Sequence, residues 1–310
     1  MKLKSFIKKQ NPIKVIVLVA VVLYVIFSSG FIDDAKKSAS MMSSSIDEIE
    51  KGDVNKEGNL EVYFIDVGQA DCILLKNDNG NVLIDAGNNE DGAKLVNYFN
   101  DLNIGTFDYV FATHAHEDHV GGMDDIINNF AIKNFMMPSV VTTTKTFEDL
   151  LGALEENNLK YYTPYEDETF NLGDCKIRVI YVGNEENDLN DTSIVLKVTF
   201  GDTSFLFTGD ISSSIEDEIL FRDIKSDVLK VSHHGSSYGT SDEFLDAVNP
   251  SYAVISVGEN NVYNHPDDNT IKRLNQRDIK TYRTDNDGTI IFYSDGISIN
   301  VKTIQTDTNG

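Results

Sequence analysis

Apolar and polar residues alternate over Leu60–Val67, and short apolar runs return at Cys72–Lys76 and Asn81–Asp85. Between the latter two lies Asn77-Asp78-Asn79-Gly80, a hairpin signal. Apolar positions then recur at helical spacing over Asp91–Leu102, Met123–Phe130 and Thr146–Asn157, with a short strand at Phe107–Ala112. Cys175–Val182, Ser193–Phe200 and Thr203–Thr208 read as strands, the last two joined by the tight turn Gly201-Asp202. A helix over Ser213–Phe221, a strand over Asp227–Val231, a helix over Ser241–Val248, a strand over Tyr252–Val257 and a helix near Asn269–Gln276 follow. Thr289–Tyr293 and Ile297–Thr303 close the pattern as a hairpin around Asp295-Gly296. Hairpin strands with helices between them predict an α/β domain of two mixed sheets with helices outside.

One stretch breaks this rhythm. Val15–Ile32 runs for 18 residues without a charge, close to the span of a bilayer core. Lys2, Lys4, Lys8, Lys9 and Lys14 precede it, and Asp33 and Asp34 follow. Positive-inside bias predicts a basic cytoplasmic segment (1–14), a single transmembrane anchor (15–32) and an extracellular remainder. A cleaved signal peptide is the alternative, with Ser38-Ala39-Ser40 as a weak cleavage site and a secreted product. Residues 33–58 are polar and read as a linker, 59–303 as the folded domain and 304–310 as a tail.

Charge narrows the function classes. Setting aside those five lysines takes the formal charge from −24 for all 310 residues to −29 for the rest. Such a body repels phosphate backbones at long range and argues against a broad grip on nucleic acid, though not against a local basic groove. The only cysteines, Cys72 and Cys175, lie far apart inside apolar runs, so they read as small buried hydrophobes.

The six histidines are not scattered. Three of them, His114, His116 and His119, fall with Asp118 in Thr113-His114-Ala115-His116-Glu117-Asp118-His119-Val120-Gly121-Gly122. At a strand end, residues two apart point the same way, so His114 and His116 can reach one ion. The chain then turns at Gly121-Gly122, where Asp118 and His119 can face a second ion. Imidazole and carboxylate together suit zinc, manganese or iron.

This segment resembles the signature of the metallo-β-lactamase superfamily. Val82-Leu83-Ile84-Asp85-Ala86-Gly87, Phe205-Leu206-Phe207-Thr208-Gly209-Asp210 and Leu229-Lys230-Val231-Ser232-His233-His234-Gly235-Ser236 are similar to its other motifs, in the same order. The resemblance covers about residues 59–303. Phe64–Asp71 and Tyr263-Asn264-His265-Pro266 are similar to the hydrolase domain of bacterial competence DNA-uptake proteins and to secreted choline-phosphate esterases. The resemblance implies a four-layer αββα sandwich with two divalent metal ions at one edge, zinc first and manganese as the alternative. No histidine lies between His119 and His233, where zinc β-lactamases carry a further ligand. Asp191 is expected to fill that position, with Asn190 as the alternative.

The expected roles follow. His114, His116 and Asp191 hold one metal. Asp118, His119 and one of His233 and His234 hold the other, and Asp210 bridges them. His233 is the expected ligand because it comes first after its strand, leaving His234 to face substrate. His265 is expected to bind a substrate oxyanion or protonate the leaving group. Asp85 orients the loop or a ligand histidine from behind, and Gln69 and Asp71 line the pocket. The implied activity is hydrolysis of a small or wall-linked phosphoester. The alternatives are an exported nuclease, a β-lactamase or thioesterase, and a metal-stabilised surface binding module without activity. Oligomeric state stays open.

Overall fold

The computed structural model describes residues 59–305. The expected basic segment, the anchor, the whole linker and the end of the tail lie outside them. Among the described residues no helix is long and apolar enough to cross a membrane.

Two large sheets form. The first has eight strands in the order Ile299–Ile304, Thr289–Ser294, Leu60–Phe64, Ile73–Asn77, Gly80–Ile84, Tyr109–Phe111, Phe135–Met136, Tyr161–Tyr162. The second has seven, in the order Lys280–Arg283, Tyr252–Ile255, Val228–Lys230, Thr203–Phe207, Ile194–Phe200, Cys175–Val182, Thr169–Leu172. Each sheet is antiparallel on one side and parallel on the other, which is what hairpins followed by strand–helix–strand units produce.

The period-two pattern sorts side chains into layers. Ile73, Leu75, Val82 and Ile84 face Leu196, Val198, Phe205 and Phe207 in a core between the sheets. Their neighbours Leu74 and Leu83 point outward, onto Leu95, Phe99, Ile126, Phe147 and Leu150 of the helices Gly92–Asp101, Met123–Asn129 and Lys145–Glu156. On the far side, Val195, Leu206, Leu229 and Ala253 pack on Ile215, Phe244, Leu245 and Leu274. Helices therefore cover both outer faces, and the layer order is helix, sheet, sheet, helix. Both cysteines are free and buried.

One predicted strand is broken. Phe107–Ala112 divides into Thr106–Phe107, which pairs with Ala131–Ile132, and Tyr109–Phe111 of the large sheet. Asp108 stands at the break, where its carboxylate accepts from Asn81 N at 3.1 Å and meets Lys133 Nζ at 2.6 Å.

Parallel pairing fixes the site. Gly80–Ile84 and Tyr109–Phe111 run side by side, so both deliver their following loops to one edge. Thr203–Phe207, Val228–Lys230 and Tyr252–Ile255 do the same in the second sheet. Ligand sites in α/β sheets form at such carboxyl ends.

Candidate metal centre

From the first sheet, Tyr109–Phe111 leads into Thr113 and His114, and His116 begins the one-turn helix Glu117–Val120. That turn packs directly on the loop after Ile84. A Cβ on Gly122 would lie 2.5 Å from Ala86 O, and one on Gly121 would collide with the Asn89 backbone, so only glycines admit this approach. Ala86 N donates to His119 O at 2.8 Å and locks the two loops together.

Asp85 holds a left-handed backbone (φ 59°) that turns its carboxylate under the histidines. It accepts from Thr113 N at 2.8 Å and from Thr113 Oγ1 at 2.7 Å, and it meets His119 Nδ1 at 2.8 Å. With its Nδ1 side occupied, His119 presents Nε2 to the site. The buried His114 turns Nδ1 toward Thr113 Oγ1 (3.2 Å) and Ser193 Oγ (3.3 Å), and its Nε2 lies 3.0 Å from His116 Nδ1.

From the second sheet come Asp210 and the two adjacent histidines. Asp210 is buried, and its backbone N–H donates to Ser193 Oγ at 3.1 Å. Its Oδ2 lies 3.3 Å from His119 Nε2, 3.7 Å from His234 Nε2, 3.8 Å from His233 Nε2 and 4.0 Å from His114 Nε2. His233 and His234 both take left-handed backbone (φ 49° and 52°). That pair of turns sends His234 inward, where its side chain is 2% exposed and its Nε2 reaches 3.3 Å from Asp118 Oδ2. Its Nδ1 rests 2.8 Å from Ser256 O. His233 is 26% exposed and faces the cleft.

Three groups of potential ligands share His119: His114, His119 and Asp210; Asp118, His119 and His234; and, behind them, Asp71, Asp85 and His119. His119 Nε2, His234 Nε2 and Asp210 Oδ1 are buried without a hydrogen-bond partner. Buried polar atoms are normally satisfied, so three such orphans on adjacent ligand candidates fit a cation that would satisfy them.

The charges agree. Burial pushes His119 down, but the Asp210 and Asp85 carboxylates outweigh it and hold this imidazole well above its ordinary pKa. His234 is likewise raised against burial, by the nearby Asp210 and Asp118 carboxylates. Burial disfavours ionised Asp118 and Asp210, yet the surrounding imidazoles hold both carboxyls below the usual range. Burial and the His119 charge push His114 well down. His233 and His265 are lowered chiefly by burial.

Three expectations change. His234 replaces His233 as the inward imidazole, because the chain turns left-handed after the strand ends at Lys230. Asp191 does not reach the cluster: its Oδ1 accepts from Ser212 N at 2.6 Å and its Oδ2 from Ser212 Oγ at 2.9 Å. Asn190 faces the cleft instead, its Oδ1 buried without a partner. Asp71 does not line the cleft either. It is buried behind His234, paired with Lys230 at 2.7 Å. Gln69 does line the cleft, and its Oε1 accepts from Gly258 N at 3.1 Å.

The cleft over the cluster measures about 870 Å³. His265 lines it with Nδ1 unpartnered, its ring 5.6 Å from that of His233 and stacked on Tyr263 at 5.7 Å. Glu90 and Glu117 stand in its wall, and among the described residues no lysine or arginine lines it. The sequence reading did not single out Ser193 or Lys230. A lysine inside the buried strand Val228–Lys230 was the one available signal, since an ammonium there requires a buried partner.

Known proteins are similar to this chain in sequence. ComE operon protein 3 of Bacillus subtilis is 30% identical over 251 residues, 74% of this chain. Competence protein ComA of Neisseria gonorrhoeae is 28% identical over 242 residues, 76% of this chain. The chain spans about a third of the length of these curated relatives, 32% in each case. Among solved structures, the metallo-beta-lactamase fold protein YhfI from Bacillus subtilis aligns at 13% identity with a TM-score of 0.49, over 72% of this chain and 95% of that one. Residues 65–259, well over half of the sequence, match the Metallo-beta-lactamase superfamily, and the chain belongs to that superfamily.

Proposed function

We propose that the chain is a dinuclear metal-dependent hydrolase that cleaves phosphoester bonds in a small or surface-linked substrate. The observation that carries this reading is Asp210 Oδ2, with four imidazole nitrogens from two other segments of the chain within 4.0 Å. His114 and His116 would hold one ion, and Asp118, His119 and His234 the other, with Asp210 shared between them. Asn190 is the oxygen donor at the position expected for Asp191. An imidazole-rich set with few hard oxygens favours zinc, with manganese as the alternative.

Bound there, two divalent cations supply Lewis acidity, which acidifies a water and neutralises charge on phosphoryl oxygens. The protein's own groups do the rest. His233 and His265, whose pKa values burial lowers, sit on the cleft side of Asp210, where either can donate an N–H hydrogen bond to a phosphoryl oxygen, or take a proton from the attacking water and pass it to the leaving oxygen. Glu90 and Glu117 set the sign of the cleft. Without a lysine or arginine opposite them, phosphates flanking the scissile bond would find no counter-charge, which favours a substrate with one phosphoryl group.

A second reading is an exported nuclease, favoured by relatives named for competence and by one named Recombination protein 2, from Haemophilus influenzae. Hydrolysis of mono- and bis-nitrophenyl phosphate with added zinc or manganese, beside plasmid nicking, separates the two. Turnover of the small esters with little nicking is expected. A folded chain holding two ions that turns over neither ester refutes the phosphoester reading, and efficient nicking installs the nuclease. We also propose that residues 15–32 anchor the domain outside the cell. Protease added to intact cells should then remove it, and protection of the domain would refute that topology.

A further inference from the structure

We propose that Lys230 and Asp71 are a positioning pair, in which the buried ammonium holds the Asp71 carboxylate behind His234 and so fixes the Asp118–His234 half of the metal site. The inference rests on the two-ion reading of that site. Each of the two residues is 1% exposed. Lys230 Nζ lies 2.7 Å from Asp71 Oδ2 and donates to Val231 O at 3.0 Å. The other carboxylate oxygen, Oδ1, has no hydrogen-bond partner and stands 3.6 Å from His234 Nδ1. The Asp71 backbone continues the same junction. Its N–H donates to Asp118 O at 3.0 Å, and its carbonyl accepts from Gly87 N at 2.9 Å.

One residue thus touches the backbone of one ligand, the ring of a second and the loop that follows Asp85. Its partner comes from the other sheet, since Asp71 precedes Ile73–Asn77 and Lys230 ends Val228–Lys230. Stability is a poor reason for such a pair, because burying two charges costs about as much as their attraction returns. Orientation is a better one. A carboxylate and the Ser256 carbonyl on the Nδ1 side of His234 keep the proton there and leave the Nε2 lone pair facing Asp118 and Asp210.

The test is zinc affinity of the full chain, measured by chelator competition for each of the two ions, with cobalt(II) absorption as a check on ligand geometry. The double variant Asp71→Asn/Lys230→Met leaves no unpaired charge behind. It should fold with a metal-free melting temperature near the parent's, yet hold one of the two ions about 10- to 100-fold less tightly, with the cobalt(II) spectrum of that ion altered. Lys230→Arg, which keeps the charge, should restore most of that affinity. Unchanged affinities in a folded double variant, or equal losses at both ions, overturn the proposal. Should the double variant not fold, Asp71→Asn alone reads the same affinity, and an unchanged value there overturns it as well. A parent chain that binds no ion overturns this inference and the metal reading together. Two ions bound without ester turnover overturn only the phosphoester reading.

Discussion

The two halves of the metal centre are built in opposite ways. The first sheet supplies His114, His116, Asp118 and His119 within six residues, on a strand end and one helical turn. The second supplies Asp210, His233 and His234 from two loops, with both histidines in left-handed backbone. In the first half, spacing alone decides which side chains face together. In the second, tertiary contacts decide: Ser256 O lies 2.8 Å from Nδ1 of the inward His234, while its neighbour swings to the cleft. A contiguous motif carries its own geometry, and a pair of adjacent identical residues carries none until something outside it chooses between them.

The strongest way to break this comparison is to remove the residue both halves share. Asp210→Asn should lower turnover on the order of a thousandfold or more, equivalent to about 4 kcal/mol of barrier. It should also reduce the bound metal below two ions per chain, measured by metal analysis of the purified protein. Retention of both ions and of most activity would separate the two halves and leave Asp210 without a bridging role.

Next in size is the choice between neighbours. His234→Ala should release one ion, whereas His233→Ala should keep both and lose turnover by about 100-fold, as expected for a group that moves protons. Metal content and kcat measured on both variants decide it. The reverse pattern would restore the order expected from the sequence, in which the first histidine after the strand is the ligand.

That pair marks the limit of what the sequence makes legible. The layered α/β fold was readable because Leu74 and Leu83 alternate with Ile73, Leu75, Val82 and Ile84, and because most helices carry a clear apolar stripe. The clustering of His114, His116, Asp118 and His119 was readable for the same local reason. Short edge elements were not. Thr169–Leu172 and Lys280–Arg283 are half-polar strands that earn their place only by pairing with a neighbour. Asp71 reads as a turn residue beside Gly68 until the second sheet brings Lys230 to it. Asp191 and Asn190 are adjacent polar residues in one loop, and which of them faces inward depends on Ser212, 21 residues away.

A third test works through protons. In the metal-free chain His119 and His234 have raised pKa values, so the folded state binds protons more tightly there than the unfolded chain. That stabilisation is complete below the ordinary histidine value of 6.5 and is lost as pH rises through the raised folded values. Above neutrality, Asp210, Asp118 and Asp85 are left facing one another with less positive charge between them. The melting temperature of chelator-treated protein should therefore fall as pH rises above the ordinary histidine value. With zinc present the fall should vanish, because the cation replaces the protons and its binding releases them. A metal-free melting temperature that rises over that range would contradict the charge balance drawn for the second half.

The smallest expected effect falls on the residue that the sequence placed in the site and the fold placed beside it. Asp191 accepts from the backbone and hydroxyl of Ser212, at the start of the helix Ser213–Ile219. Asp191→Ala should therefore act as the loss of a helix-start contact, costing about 1–2 kcal/mol of stability. Metal content and KM should stay at parental values. Asn190→Ala should do the opposite, with a melting temperature near the parent's and a weaker hold on one ion, because its amide faces the cleft as the proposed oxygen donor. Thermal melts, metal affinity and ester kinetics on the two variants make the contrast. If Asp191→Ala instead loses an ion while its melting temperature holds, the carboxylate leaves Ser212 for the metal in the loaded protein, and the first site is harder than the metal-free geometry implies.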